Sequence, residues 1–182
     1  MSSNTRSRFA ARASGRALMI ALAVATAAHA GGSSTKAQLT AYRESAGWEA
    51  IAQGDYAGTV SQLAPHGALF WSDRVAASTN LCVAYIMSHQ WDAAHPACDT
   101  AISLASREPA DTTLFGRRRH NEAIALAYSN RAVLSWLEAQ PHSAASDMSQ
   151  ARELSPSSDF VEHNIAVLGT RKSAANTVAE AR

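Results

Sequence analysis

From residue 40 onward, apolar positions recur at helical spacing in paired amphipathic stretches separated by short polar turns. Three segments align on this pattern. They are GWEAIAQGDYAGTVSQL (47–63), CVAYIMSHQWDAAHPAC (82–98) and AVLSWLEAQPHSAASDM (132–148). Each opens with a small residue on an apolar face, passes through a polar triplet (QGD, SHQ, EAQ) and enters a second amphipathic stretch. Ala is abundant, and β-branched residues do not cluster in alternating runs. The pattern therefore predicts helix–turn–helix units and no strand. A single hairpin cannot bury its own apolar face, so such units are expected to stack. Small residues at facing places let the helices approach to about 8–10 Å.

The units are expected at 40–73, 75–108 and 125–158, with an insert at 109–124 and a capping helix at 159–172. Residues 31–39 read as a flexible stretch and 173–182 as a tail. Within the third unit, YSNRAVLSWLEAQPHSAASDMSQARELSP (128–156) resembles a tetratricopeptide repeat. Ala132, Ala144, Met148, Ala151 and Pro156 match that family's pattern in order and spacing. In the second unit Leu81, Cys82, Tyr85, Ala94, Cys98 and Ala101 fill the corresponding places. In the first unit Gly47, Gly54, Tyr56 and Leu63 do so, while Thr59 and His66 depart, and Pro65 and Gly67 cut the second helix short. The resemblance, to secreted or periplasmic bacterial members, implies an all-α solenoid of about three units plus a C-terminal cap.

The two cysteines, Cys82 and Cys98, each lie eight residues from Gln90 in the middle turn. In an antiparallel hairpin, places equidistant from the turn face each other, so the fold brings the thiols together. A disulfide is expected; the alternative is two small buried apolar side chains. Pro96, between them, is expected inside the second helix near its first turn, where a missing N–H is tolerated.

Residues 1–30 differ from the rest. Arg6, Arg8, Arg12 and Arg16 precede the apolar run ALMIALAVATA, which is followed by AHA and GGSST. This is the composition of a secretory signal with cleavage after Ala30. A mitochondrial transit segment is the rival, since the stretch is also Arg-rich and acid-poor. Export to the periplasm or medium would supply the oxidising compartment that a disulfide needs. Without residues 1–30 the chain keeps 12 basic and 15 acidic side chains, a net charge of about −3. That balance argues against a nucleic-acid partner.

Signals for catalysis are weak, and a small hydrolase or metal protein is the remaining alternative. The sequence contains no G-x-G-x-x-G, G-x4-G-K-[ST], H-E-x-x-H or G-x-S-x-G motif, and its acidic residues are scattered singly. Of the seven histidines, His89 and His95 flank a turn at a spacing that does not share a helix face, so no metal or other cofactor is expected. The one charge run is Arg117, Arg118 and Arg119 followed by His120. It reads as a grip on an anionic partner or an acidic lipid surface, or else as a solvated loop or the start of a lengthened helix.

What remains is a surface. The resemblance implies that first helices line a concave groove. Trp48, Ile51, Asn80, Val83, Met87, Asn130, Val133, Trp136 and Leu137 are the expected lining, with Glu44, Thr79, Ile86 and Ser129 nearby. Some family members hold a partner's C-terminal carboxylate with Lys and Arg in this groove, but this chain lacks basic residues at most of those places. A mostly apolar groove suits an amphipathic helix or an extended segment, with Asn amides bonding its backbone. Alternatively, the mature N-terminal stretch or the C-terminal tail covers it. The expected function is an exported, non-enzymatic module that binds a peptide or helix segment of another envelope protein. The alternative is an envelope-associated helper that uses the arginine run and has no peptide groove, with weak membrane contact.

Overall fold

The computed structural model describes residues 22–23, 36–65, 73–109 and 112–180. The expected signal segment and its cleavage point lie outside the described residues, apart from 22–23. The fold is helical. Seven helices occur among the described residues: α1 (Trp48–Ala52), α2 (Tyr56–Leu63), α3 (Arg74–Met87), α4 (Trp91–Arg107), α5 (Leu114–Leu137), α6 (Pro141–Leu154) and α7 (Asp159–Glu180). Helices α3 and α4 form one hairpin and α5 and α6 another. Helix α4 packs on α5 and α6 on α7, while α5 lies between α3 and α7 and packs on both.

Local chemistry sets the helix ends. The Asp55 carboxylate accepts the Gly58 N–H, Asp73 that of Ala76, and the Thr113 hydroxyl that of Gly116. Pro141 opens α6, where its missing N–H costs nothing. The three hairpin turns fall on the three polar triplets and share one geometry. The central residue is left-handed: Gly54 (φ 76°), His89 (φ 56°) and Ala139 (φ 58°). In each, the N–H of the third residue reaches back five places: Asp55 to Ala50, Gln90 to Tyr85 and Gln140 to Ser135. The same backbone device, a left-handed helix C-cap, thus closes α1, α3 and α5.

The structure corrects the expected boundaries in two places. The first unit does not begin as a helix at residue 40. Residues 36–46 are extended chain and turns, and α1 spans only five residues. Gly47 precedes it at φ 82°, and a Cβ there would lie 2.8 Å from Thr59 and 2.9 Å from Leu63. Most of the expected insert, from Leu114 on, is the opening of α5, because Thr113 caps a segment with no proline to stop it. Pro96 is inside α4 as its sixth residue, just past the first turn.

The expectation of no strand also needs correcting. Two very short strands occur, β1 (Leu22–Ala23) and β2 (Gln38–Leu39), paired antiparallel with Leu22 opposite Leu39. They are not part of the helical scaffold: β2 lies against α5 and α7. The main core joins Ile51, Leu63, Leu81, Val83, Ile86, Val133, Leu134 and Val167 with Ala37, Leu39 and Ala41 of the extended segment.

Candidate functional site

Asn80, Asn130 and Asn164 sit on α3, α5 and α7, one on each, and all three are fully buried. Each begins the same short pattern, Asn-x-x-Val, ending at Val83, Val133 and Val167. These valines are buried one turn along the same helix face. A buried primary amide must find partners for both its oxygen and its nitrogen. Here the partners are the backbone of the chain's own residues 36–42.

The Gln38 N–H donates to Asn164 Oδ1 at 2.7 Å, and Asn164 Nδ2 donates to the Gln38 carbonyl at 2.9 Å. The Thr40 N–H donates to Asn130 Oδ1 at 2.9 Å, and Asn130 Nδ2 returns to the Thr40 carbonyl at 2.8 Å. The Tyr42 N–H donates to Asn80 Oδ1 at 2.7 Å, and Asn80 Nδ2 returns to the Tyr42 carbonyl at 3.0 Å. In extended chain, alternate residues present N–H and C=O along the same edge. Three amides therefore read residues 42, 40 and 38 in turn, as the hairpins advance from α3 to α7.

Each end of the segment has a further hold. Asn80 Nδ2 also lies 2.9 Å from Ser45 Oγ and 3.1 Å from the Ala46 carbonyl. His163 Nε2 lies 2.9 Å from the Lys36 carbonyl. Ala37, Leu39 and Ala41 bury their side chains in the main core. Tyr42 packs between the two clusters around Val75 and Phe160. Burial, with Asp73, Glu122 and Glu108 adding to it, raises the Tyr42 phenol above its ordinary value.

The predicted groove residues divide. Trp48, Ile51, Val83 and Val133 are buried, and Met87 and Leu137 partly so, in the cluster that holds the extended segment. Asn80 and Asn130 are the amides themselves. Trp136 is placed elsewhere. It lines a cavity of about 270 Å³ with Pro141, Ala144, Met148, Ile165 and Leu168, along α6 and α7. Asn164, noted in the sequence only as aligning with Asn130, completes the series.

The occupant is the N-terminal stretch, one of the two segments expected as an alternative cover; its extended form is what sequence reading missed. Lys36-Ala37-Gln38-Leu39-Thr40-Ala41 alternates polar and apolar residues with period two, the signature of a half-buried strand. That alternation runs across the boundary between the expected flexible stretch and the first expected unit.

Two further contacts tie the hairpins. Cys82 and Cys98 are bonded, with Cα atoms 4.8 Å apart, linking α3 to α4. Arg131, expected off the groove face, forms a fork with both oxygens of Asp147 on α6 at 2.8 and 2.7 Å, and reaches Asp99 on α4 at 2.7 Å. The bond to Asp147, with Asp99 assisting, raises the guanidinium above its ordinary value against the opposing effect of burial. His95 pairs with Glu138 at 2.6 Å across the same two hairpins.

Among the described residues, no group of three or more His, Cys, Asp or Glu is placed to hold a metal ion. No helix among them is long and apolar enough to cross a membrane. The disulfide is compatible with an exported protein. Arg117, Arg118 and Arg119 lie exposed in the first two turns of α5. The fold and the site together define a helical, repeat-like protein whose buried asparagines grip an extended strand. No protein-family model, no curated protein and no solved structure matches the chain.

Proposed function

We propose that the chain is an exported, non-enzymatic interaction module of tetratricopeptide-like solenoid form, whose asparagine-lined groove holds an extended segment of another envelope protein. The observation that carries this reading is the set of three amides bonding alternate residues of one extended backbone. Only extended chain presents both its N–H and its C=O at every second residue along one edge, which favours a strand over a helix as ligand. The amides read backbone, so they accept many sequences. Selectivity comes from the places that now bury Ala37, Leu39 and Ala41.

The chain's own residues 36–42 occupy the groove and compete with any partner. Six hydrogen bonds contribute on the order of 6 kcal/mol. Fixing seven residues costs roughly 1–2 kcal/mol each. Burial of Leu39 adds about 2 kcal/mol. Burial of Ala37 and Ala41 and the packing of Tyr42 add to this, so the resident strand is held by a small net margin that a partner segment of similar pattern must exceed to replace it.

The test uses Thr40→Pro, which removes the N–H that Asn130 accepts and weakens the resident strand. A labelled peptide of residues 36–42 should bind this variant more tightly than the parent chain. Adding Asn130→Ala should abolish the gain. A helical, oxidised Thr40→Pro protein that takes up no peptide would contradict the proposal. It would favour the alternative of an envelope helper that relies on Arg117, Arg118 and Arg119.

A further inference from the structure

Helix α5 is longer than its counterpart α3, and the excess is all at one end. It runs from Leu114 to reach Asn130, whereas α3 runs only from Arg74 to reach the equivalent Asn80. None of residues 114–123 is buried, and continuous burial starts at Ile124. Residues 120–123 are half-buried, so the exposed arm is the first six residues of α5, 114–119, about 9 Å at roughly 1.5 Å per residue.

The tip of this arm is chemically unusual. Leu114 and Phe115 are 80% and 68% exposed, and they are the two exposed large hydrophobic residues among the described residues. They are adjacent, and the next turn carries Arg117, Arg118 and Arg119, all exposed. None of these arginines takes part in an ion pair among the described residues. Arg119 lies 5.7 Å from the Phe115 ring centre, and Arg117 donates to the Thr112 carbonyl. Arg118 follows Leu114 by four places and Arg119 follows Phe115 by four, so each cation stands one turn behind an apolar side chain on the same face.

We infer that this tip is a membrane-docking device for an anionic lipid surface. Entered end-on, the arm puts Leu114 and Phe115 deepest. The arginines then sit about 6 Å higher along the axis. That offset matches an apolar group sunk roughly 5–10 Å into the headgroup–acyl boundary with basic side chains at phosphate level. The net charge outside residues 1–30 is about −3, so this basic cluster is local rather than general. A soluble polyanion would engage the arginines but gives no reason for two exposed apolar side chains in front of them. The inference does not rest on the groove, whose nearest amide, Asn130, lies far along the same helix from the tip.

The test is cosedimentation of the full, oxidised chain with vesicles of phosphatidylcholine mixed with phosphatidylglycerol at two to one, or of phosphatidylcholine alone, at physiological ionic strength. Leu114→Ser/Phe115→Ser and Arg118→Gln/Arg119→Gln are compared with the parent. These proteins differ only at the tip, so any contribution of residues 1–30 is common to all. The parent should prefer the anionic vesicles. The apolar double variant should bind about tenfold more weakly, and the arginine double variant roughly twentyfold more weakly. Excess inorganic phosphate should not displace the parent, because a free anion cannot replace the apolar insertion. Equal binding by parent and apolar double variant, or parent binding lost to inorganic phosphate, would overturn the inference. An arm that binds heparin but no vesicle would do the same, pointing to a soluble acidic partner. These exposed positions make no core contact, so helical content and the disulfide should be unchanged in every variant.

Discussion

Asn130 and Thr40, ninety residues apart in the chain, exchange two hydrogen bonds through the asparagine amide and the threonine backbone. Both residues are buried, so neither side of the pair can turn to water. Replacing Asn130 by Ala leaves a buried N–H and a buried C=O without partners, at about 1–3 kcal/mol each. Chemical denaturation should show a loss of about 2–4 kcal/mol. Asn130→Asp should cost at least as much at neutral pH, because a carboxylate cannot donate to the Thr40 carbonyl. Part of that loss should return on acidification, when the protonated carboxyl can donate.

The Cys82–Cys98 bond closes a short loop with a sequence separation of 16. Chain-entropy arguments give such a loop roughly 3 kcal/mol. Cys82→Ala/Cys98→Ala should lower unfolding free energy by about that amount while keeping helical content. Intact-mass measurement with and without alkylation after unfolding should find no free thiol in the parent protein.

Ala139 holds a left-handed conformation at φ 58°, where the first hairpin has Gly54. A residue with a Cβ is strained there by roughly 1–2 kcal/mol, against a smaller entropic cost for glycine. Ala139→Gly should therefore stabilise the third hairpin by about 0.5–1 kcal/mol. A rise in Tm of a few degrees is the readout.

The raised Tyr42 phenol gives the strand a pH dependence. The fold holds the neutral form, so its contribution is complete below the ordinary value of 10.0. As pH rises past that point, the unfolded chain releases a proton that the folded chain keeps, and stability falls. Urea midpoints between pH 8 and 11 should drop more steeply for the parent than for Tyr42→Phe. Equal slopes would show that Tyr42 is not held neutral against the helices.

Much of the scaffold was legible because it rests on local signals. The triplets at 53–55, 88–90 and 138–140 are turns in the structure, and equidistance from Gln90 brought the two cysteines together. The role of Asn amides as backbone partners was also readable, since a buried amide in an apolar face has few other uses. The N-terminal stretch was one of several backbones they could serve, and its extended form and register were not readable. Residue 40 could open a helix by composition, and only contacts across 90 and 126 residues make 36–42 extended. The misplacement of Trp136 has the same origin. Helical periodicity gives its face on α5, but whether that face meets a groove or the end of α6 and α7 depends on how the hairpins stack.

Residue-resolved amide hydrogen exchange on the parent chain and on Asn130→Ala tests the asparagine grip most directly. The Gln38, Thr40 and Tyr42 N–H groups should exchange slowly in the parent, and Thr40 should lose most protection in the variant. Exchange at all three positions near the rate of unstructured peptide, with the helices still protected, would mean that the groove does not hold this strand.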